Sequence, residues 1–176
     1  MLERRAEQYG NRDFLFFKDE VWGLEDFDRE ASKVAAGLQA LGITKGDKVA
    51  VMLKNRPEYL FAWFGINKLG AVEVPINPAH KGELLTHMLN LADCRVLFLQ
   101  REFVDQIATV QEDLTTLESY VCLDGAEGDI GLGGLPCTTY AALVDNDRRF
   151  DAPDVIWSDP FAIMFTSGTT GPSKGV

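Results

Sequence analysis

The residues best suited to chemistry stand together near the end of the sequence. Hydroxyl-bearing residues, glycines and one lysine are concentrated in Thr166-Ser167-Gly168-Thr169-Thr170-Gly171-Pro172-Ser173-Lys174-Gly175. Glycine can adopt positive φ, so backbone N–H groups in such a segment can turn inward and form an anion-binding concavity. The hydroxyls and Lys174 would add donors and one positive charge. These features indicate a loop that binds a polyphosphate.

The spacing within this segment differs from that of the common P-loop. That loop follows the pattern G-x-x-x-x-G-K-[ST]. Here Gly168 and Gly171 are three residues apart, and Lys174 follows three residues after the second glycine. Composition alone also fits a flexible polar tail, because Ser, Thr, Gly and Pro are typical of disordered ends. From composition, the segment is either a phosphate loop of another kind or a flexible tail.

Strand and helix patterns alternate along the chain that leads to this segment. Apolar residues at spacings of three and four predict helices, and short apolar runs with β-branched residues predict strands. Helices are expected over 25–41, 57–69, 81–92 and about 102–117, with a short one near 141–143, and strands over 48–53, 71–75, 96–99, 120–123 and 161–165. Such alternation predicts a parallel sheet. We expect a three-layer, doubly wound α/β fold with a mostly parallel sheet flanked by helices.

Composition narrows the possible partners and the cellular location. The 176 residues carry a formal net charge of -10, which disfavours binding to nucleic acid or to an anionic membrane. No apolar run approaches the roughly 18 to 20 residues of a spanning helix. Cys94, Cys122 and Cys137 are far apart and form no Cys-x-x-Cys pair, which argues against a disulfide framework or a zinc site. We expect a cytoplasmic protein.

The order of residues in 166–175 resembles a family signature. It is similar to the phosphate loop of the adenylate-forming (AMP-binding) superfamily, which reads Thr-Ser-Gly-Ser/Thr-Thr-Gly-x-Pro-Lys-Gly after a hydrophobic strand. Pro172 and Ser173 depart from the usual order, but Lys174 and Gly175 keep their offsets from Gly171. Upstream segments also resemble the family scaffold: Gly46-Asp47-Lys48-Val49, Asn55 with Glu58, Leu69-Gly70-Ala71-Val72 and Pro75-Ile76-Asn77-Pro78.

The resemblance implies the amino-terminal portion of an ATP-dependent acyl-CoA synthetase of the fatty-acid–CoA ligase type. Such an enzyme converts a carboxylic acid into an acyl-adenylate, releases pyrophosphate and passes the acyl group to CoA. By resemblance, the phosphate-binding residues are Thr166, Ser167, Gly168, Thr169, Thr170, Gly171, Lys174 and Gly175, and Mg²⁺ accompanies the ATP. The resemblance assigns no catalytic residue and no protein metal ligand to this chain.

The family's later motifs are expected outside residues 1–176. The resemblance makes these residues the first part of an AMP-binding domain that ends at the phosphate loop 166–175, without the remaining subdomains or the carboxy-terminal domain. We therefore expect the chain alone to be inactive. Two alternatives stay open: a free-standing nucleotide-binding or structural fragment, and an adenylation domain that loads a carrier protein. The sequence does not identify the carboxylic acid.

Overall fold

A five-stranded sheet forms the centre of the molecule. The computed structural model describes residues 2–125, 132, 134–147, 149–166 and 174–176. The strands are β1 (Asp13–Phe17), β2 (Glu20–Gly23), β3 (Lys48–Met52), β4 (Val72–Pro75), β5 (Cys94–Gln100), β6 (Ser119–Leu123), β7 (Cys137–Thr139), β8 (Phe165–Thr166) and β9 (Lys174–Gly175). The central sheet has the order β4-β3-β5-β6-β7, and each neighbouring pair is parallel. The predicted parallel sheet is confirmed.

Helices cover both faces of this sheet. The α-helices are α1 (Leu2–Tyr9), α2 (Leu24–Ala40), α3 (Pro57–Lys68), α4 (Gly82–Leu91), α5 (Val104–Ala108) and α6 (Tyr140–Val144). Side chains of α2 and α3 pack with Val49 and Val51 on one face, whereas side chains of α4 and α5 pack with Ala50 and Met52 on the other. Because successive strand residues point to opposite faces, β3 is buried on both sides. The three-layer α/β fold is confirmed.

A glycine allows α2 and α3 to approach closely. A Cβ atom placed at Gly65 would lie 2.7 Å from Cβ of Val34 and 2.8 Å from the backbone oxygen of Ala31. Beside this contact, the rings of Phe27 and Phe61 meet edge to face with centroids 5.3 Å apart. The contact fixes α3 against α2 and thereby fixes the helix that leads into β4.

The predicted helix over 102–117 is wrong for most of its length. The structure has a 3-10 helix at Arg101–Phe103, the short α5, and a second 3-10 helix at Gln111–Asp113. The side chain of Asn90 donates to the backbone oxygen of Asp113 at 2.7 Å and accepts from the Thr115 N–H at 3.1 Å. These bonds take the place of helical hydrogen bonds, so tertiary contact with α4 overrides the local helical pattern.

The amino-terminal elements and β7 were not predicted, and the last predicted strand is shorter than expected. The structure adds α1 and the antiparallel pair of β1 and β2 before the first predicted element. It also adds β7 at the end of the central sheet. Of the strand expected over 161–165, Ala162 forms a single bridge to β4 and Phe165 begins β8. Ile163 still bonds to Glu73 of β4, whereas Met164 already bonds to Val176, so the pairing changes partner within the predicted strand.

One charged residue lies inside the edge strand β4. Glu73 is 1% exposed, and the Tyr59 hydroxyl of α3 donates to its Oε1 at 2.9 Å. Burial disfavours the charged carboxylate and raises the pKa of Glu73 to about 7, although the hydrogen bond from Tyr59 acts in the opposite direction. The folded state therefore favours neutral Glu73 at mildly acidic pH.

This burial predicts a pH-dependent free energy of unfolding. Between pH 4.5, the ordinary value, and about pH 7, the folded state binds more protons at Glu73 than the unfolded state. Stability from this group is therefore lost as pH rises through that window and levels off above it. Glu73→Gln removes the titration, so denaturant unfolding should show the variant gaining about 3 kcal/mol on the wild type between pH 4.5 and 8.

The control for this prediction is Glu112→Gln, which removes an exposed carboxylate. The control should keep the pH dependence of the wild type. An unchanged pH dependence in Glu73→Gln would show that Glu73 does not remain neutral in the folded state.

Candidate functional site

The predicted phosphate loop is held between two paired strands. β8 and β9 are antiparallel, with Phe165 opposite Gly175 and Thr166 opposite Lys174. Just outside them, Met164 and Val176 exchange two backbone hydrogen bonds of 2.9 Å. This pairing brings together the first and last parts of the predicted site. Ser167, Gly168, Thr169, Thr170 and Gly171 lie outside the described residues.

The two polar side chains at the base of this loop are open to solvent. Thr166 and Lys174 are exposed, and they are direct cross-strand neighbours. Lys174 forms no ion pair with a carboxylate in the described ranges. A hydroxyl donor and an ammonium group at adjacent positions can both reach an anion placed over the base of the loop.

Gly175 is required by a close contact and not by its backbone angle. A Cβ atom at this position would lie 2.8 Å from Cγ2 of Ile163. The φ of Gly175 lies outside the left-handed region, so the close contact with Ile163 is what requires a glycine here. Glycine lets β9 pack directly on the side chain that precedes β8.

Backbone hydrogen bonds attach the chain before β8 to the edge of β4. The Glu73 N–H donates to the Phe161 oxygen at 3.3 Å, and the Ile163 N–H donates to the Glu73 oxygen at 2.9 Å. Together they make the parallel bridge between Glu73 and Ala162. Residues 161–163, which we term the docking segment, thereby connect the candidate loop to the central sheet.

Side chains of α3 and of the turn before β3 strengthen this attachment. Nδ2 of Asn67 donates to the Phe161 oxygen at 2.8 Å, and the ring of Trp63 lies 5.6 Å from that of Phe161. Nζ of Lys45 lies 2.6 Å from the Asp154 oxygen and 2.6 Å from Oδ2 of Asp159. The chain entering the loop is therefore fixed at several points before β8 begins.

A second polar cluster occupies the carboxyl ends of β3, β5 and β6. Arg56 donates from Nε to Glu58 at 2.8 Å and from Nη1 to Asp124 at 2.6 Å. Hydrogen bonding from Arg56 lowers the pKa of Asp124. Oε1 of Gln100 accepts from the Lys54 N–H at 2.7 Å, and the Lys54 ammonium pairs with a carboxylate.

Ligands of open parallel sheets commonly bind at this end, where the strand order reverses. The cations of this cluster are already neutralised by carboxylates: Arg56 by Glu58 and Asp124, and Lys54 by Glu102. An incoming phosphate would have to compete with those ion pairs. The loop based at Thr166 and Lys174 is therefore the better candidate for anion binding.

Sequence interpretation missed the polar groups that support the loop. Glu73 is the one charged residue between Val72 and Val74 in an apolar strand. A carboxylate at such a position could have indicated a buried polar group. Asn67 and Lys45 gave no comparable signal, because their partners at Phe161, Asp154 and Asp159 are distant in sequence.

The Gly175 contact generates a testable prediction. Gly175→Ala should clash with Cγ2 of Ile163 and loosen the β8–β9 pair, because added methyl groups in a filled contact typically cost about 1–3 kcal/mol. Hydrogen exchange at the Val176 amide should accelerate. Ile163→Leu moves the branch away from Cβ, so Gly175→Ala with Ile163→Leu should recover part of the lost protection. Equal exchange in Gly175→Ala and the wild type would contradict the contact.

Comparisons with known proteins agree on one family. The profile of the family described as "AMP-binding enzyme" matches residues 2–176. Crotonobetaine/carnitine–CoA ligases from Salmonella paratyphi B and Citrobacter koseri are 31% and 32% identical over the whole chain. Among solved structures, the anthranilate CoA ligase AuaEII in complex with anthranoyl-AMP is 27% identical and superposes on 99% of this chain with a TM-score of 0.87.

These matches cover only part of each relative. The chain spans 35% of the length of the two crotonobetaine/carnitine–CoA ligases and 33% of the anthranilate CoA ligase chain. The family match, in contrast, extends over nearly the whole of this chain. Together with the β8–β9 base of the loop, this coverage identifies the chain as a member of the AMP-binding enzyme family.

Proposed function

We propose that this chain supplies the phosphate-binding part of an ATP-dependent acyl-CoA synthetase. The observation that carries the proposal is the pairing of Thr166 with Lys174 at the base of the loop in a member of the AMP-binding family. The ligand is the triphosphate of ATP. Residues 166–175 bind it, and the residues between the two strands contribute through their hydroxyls and backbone N–H groups.

The chemistry requires such a site because a free carboxylate is a poor acyl donor. Its negative charge repels nucleophiles, and its oxide is a poor leaving group. When the carboxylate oxygen attacks the α-phosphorus of ATP, the α–β phosphoanhydride bond breaks and pyrophosphate leaves with the bonding electron pair. Charge then increases on the β- and γ-phosphates, where preorganised donors stabilise it. In this proposal Thr166 and Lys174 supply two of these donors, and their cross-strand pairing at the base of the loop supports that role.

The remaining components of the reaction come from outside the described residues. Mg²⁺ accompanies the ATP phosphates in this proposal. The described part of the chain contains no group of three His, Cys, Asp or Glu side chains suited to a metal ion. CoA is the proposed thiol acceptor, since the relatives named above are CoA ligases. A cytoplasmic location belongs to the same proposal. No helix in the described ranges is long and apolar enough to cross a membrane.

The relatives favour a small carboxylic acid as the substrate, with fatty acids as one class to test. They act on crotonobetaine or carnitine and on anthranilate, which share a carboxylate and little else. A panel should therefore include betaine-type, aromatic and aliphatic acids.

Removing the lysine should weaken nucleotide binding. Lys174→Ala deletes a charge-assisted hydrogen bond to phosphate, so the dissociation constant of a fluorescent ATP analogue with Mg²⁺ should rise roughly tenfold or more. Lys81→Ala removes an equal charge from another exposed position and should leave binding unchanged. Equal dissociation constants for wild type and Lys174→Ala would remove Lys174 from the site.

Carboxylate-dependent ATP–pyrophosphate exchange tests the whole proposal. The assay compares this chain with a version extended through the downstream region of its gene, using the panel of acids. We expect exchange in the extended protein and none in residues 1–176 alone. Exchange in neither would favour a nucleotide-binding or structural role without catalysis. If exchange occurs, supplying CoA or a carrier protein as the acceptor distinguishes a CoA synthetase from a carrier-loading domain.

A further inference from the structure

The buried carboxyl group of Glu73 lies on the strand position that joins the docking segment to the sheet. The backbone N–H and oxygen of this residue bond to Phe161 and Ile163, respectively. Its side chain turns inward beneath α3 and accepts from the Tyr59 hydroxyl at 2.9 Å. One residue therefore combines a buried polar contact with both backbone bonds of the bridge.

β4 is the edge strand of the central sheet, so few backbone bonds hold the docking segment to it. β4 pairs with β3 on one side only, and the docking segment adds just the single bridge at Ala162 on the other, within the described part of the chain. The bridge consists of only two hydrogen bonds, with no further strand pairing beside it among the described residues. A small displacement of β4 is therefore enough to weaken it. A side chain that fixes Glu73 relative to α3 thus also fixes the bridge.

α3 holds the docking segment from the same side. Asn67 bonds to the Phe161 oxygen and Trp63 contacts the Phe161 ring. Tyr59, Trp63 and Asn67 follow one another at spacings of four residues, so they lie on one face of the helix. That face contacts Glu73 and the docking segment together.

We propose that the Glu73–Tyr59 pair positions the docking segment and, through it, the strand β8 that begins the phosphate loop. Glu73 is a positioning residue in this account and does not touch the nucleotide. The consequence for ATP binding rests on the function proposed above, whereas the effect on the docking segment does not.

The surroundings of Glu73 give this pair a pH response. Tyr59 is the titratable group facing it from α3, while its β3 neighbour Val49 and residues 161–163 have no titratable side chains. Burial raises the pKa of Glu73 to about 7, so its carboxyl group ionises near neutral pH. Ionisation places a charge inside the edge strand and should loosen the bridge.

Hydrogen exchange of the 176-residue chain tests the positioning role without any nucleotide. Protection factors are measured at the Ile163 amide and at amides of β5 from about pH 6 to 8, on either side of the Glu73 pKa, with correction for the intrinsic exchange rate. In the wild type we expect Ile163 protection to fall as pH rises, with a smaller fall in β5 that follows the global free energy of unfolding. Glu73→Gln keeps the shape and stays neutral, so its Ile163 protection should equal the wild-type value at the acidic end of that range and remain flat.

Two disruptive variants complete the test. Glu73→Ala should lower Ile163 protection roughly tenfold, because it leaves the Tyr59 hydroxyl without its partner. Tyr59→Phe should also lower it, and by more than it lowers protection in β5. Equal losses at Ile163 and in β5 would show a general structural role and overturn the proposal. Unchanged Ile163 protection in both variants, or the same pH response in Glu73→Gln as in wild type, would also overturn it.

The link to ATP is measured separately with the fluorescent analogue. Glu73→Ala should raise the dissociation constant of the analogue. At mildly alkaline pH, Glu73→Gln should bind the analogue with the wild-type dissociation constant or a lower one. Local loosening at Ile163 with an unchanged dissociation constant would contradict transmission to the loop. If the wild type binds no nucleotide, the proposed function fails, while the exchange data still decide whether the pair positions residues 161–163.

Discussion

The attachment of residues 161–163 to the edge of β4 is the constraint on which the candidate site depends. The central sheet is a long hydrogen-bonded assembly with apolar helices on both faces, but the loop joins it through one bridge between Glu73 and Ala162 among the described residues. Beyond that bridge, β8 and β9 contribute two residues each. The position of Lys174 is thus determined by few backbone bonds and by the side chains that support them.

Those supporting side chains are polar or aromatic, and they come from elements already fixed by the core. Asn67 and Trp63 belong to α3, which the Gly65 contact holds against α2. Lys45 precedes β3 and binds the chain at Asp154 and Asp159. The apolar core therefore acts on the loop indirectly, by placing hydrogen-bond donors beside a segment that makes little core of its own.

The sequence predicted those parts of the fold in which burial is strong. An apolar run such as Val49 to Met52 is stable only in a sheet that is covered on both faces. The sequence therefore predicted β3 to β6 and the helices between them, except in the region after β5. The β1–β2 hairpin was missed because its turn lacks an Asn-Gly or Asp-Gly signal. Lys18 adopts a φ of 53° there instead. The prediction of a helix over 102–117 was wrong because the side chain of Asn90, distant in sequence, forms hydrogen bonds with the backbone of Asp113 and Thr115.

The candidate site was predictable only where residue type and order are distinctive. Residues 166–175 could be proposed as a site because glycines, hydroxyls and a lysine are combined there, and the structure adds the cross-strand pairing of Thr166 with Lys174. The roles of Asn67 and Lys45 depend on contacts across 94 and 109 residues of sequence, and Glu73 meets the docking segment over a similarly long separation. Local sequence patterns do not contain such contacts.

Nuclear magnetic resonance titration of the isotopically labelled chain with ATP and Mg²⁺ tests whether the phosphates bind at the base of the loop, because it identifies the residues that surround them. We expect the largest shift changes at the amides of Thr166, Lys174 and Gly175, with smaller ones at Ile163. Changes centred instead on Lys54, Arg56 and Gln100, at the carboxyl end of the parallel sheet, would contradict this expectation and move the anion site to the sheet.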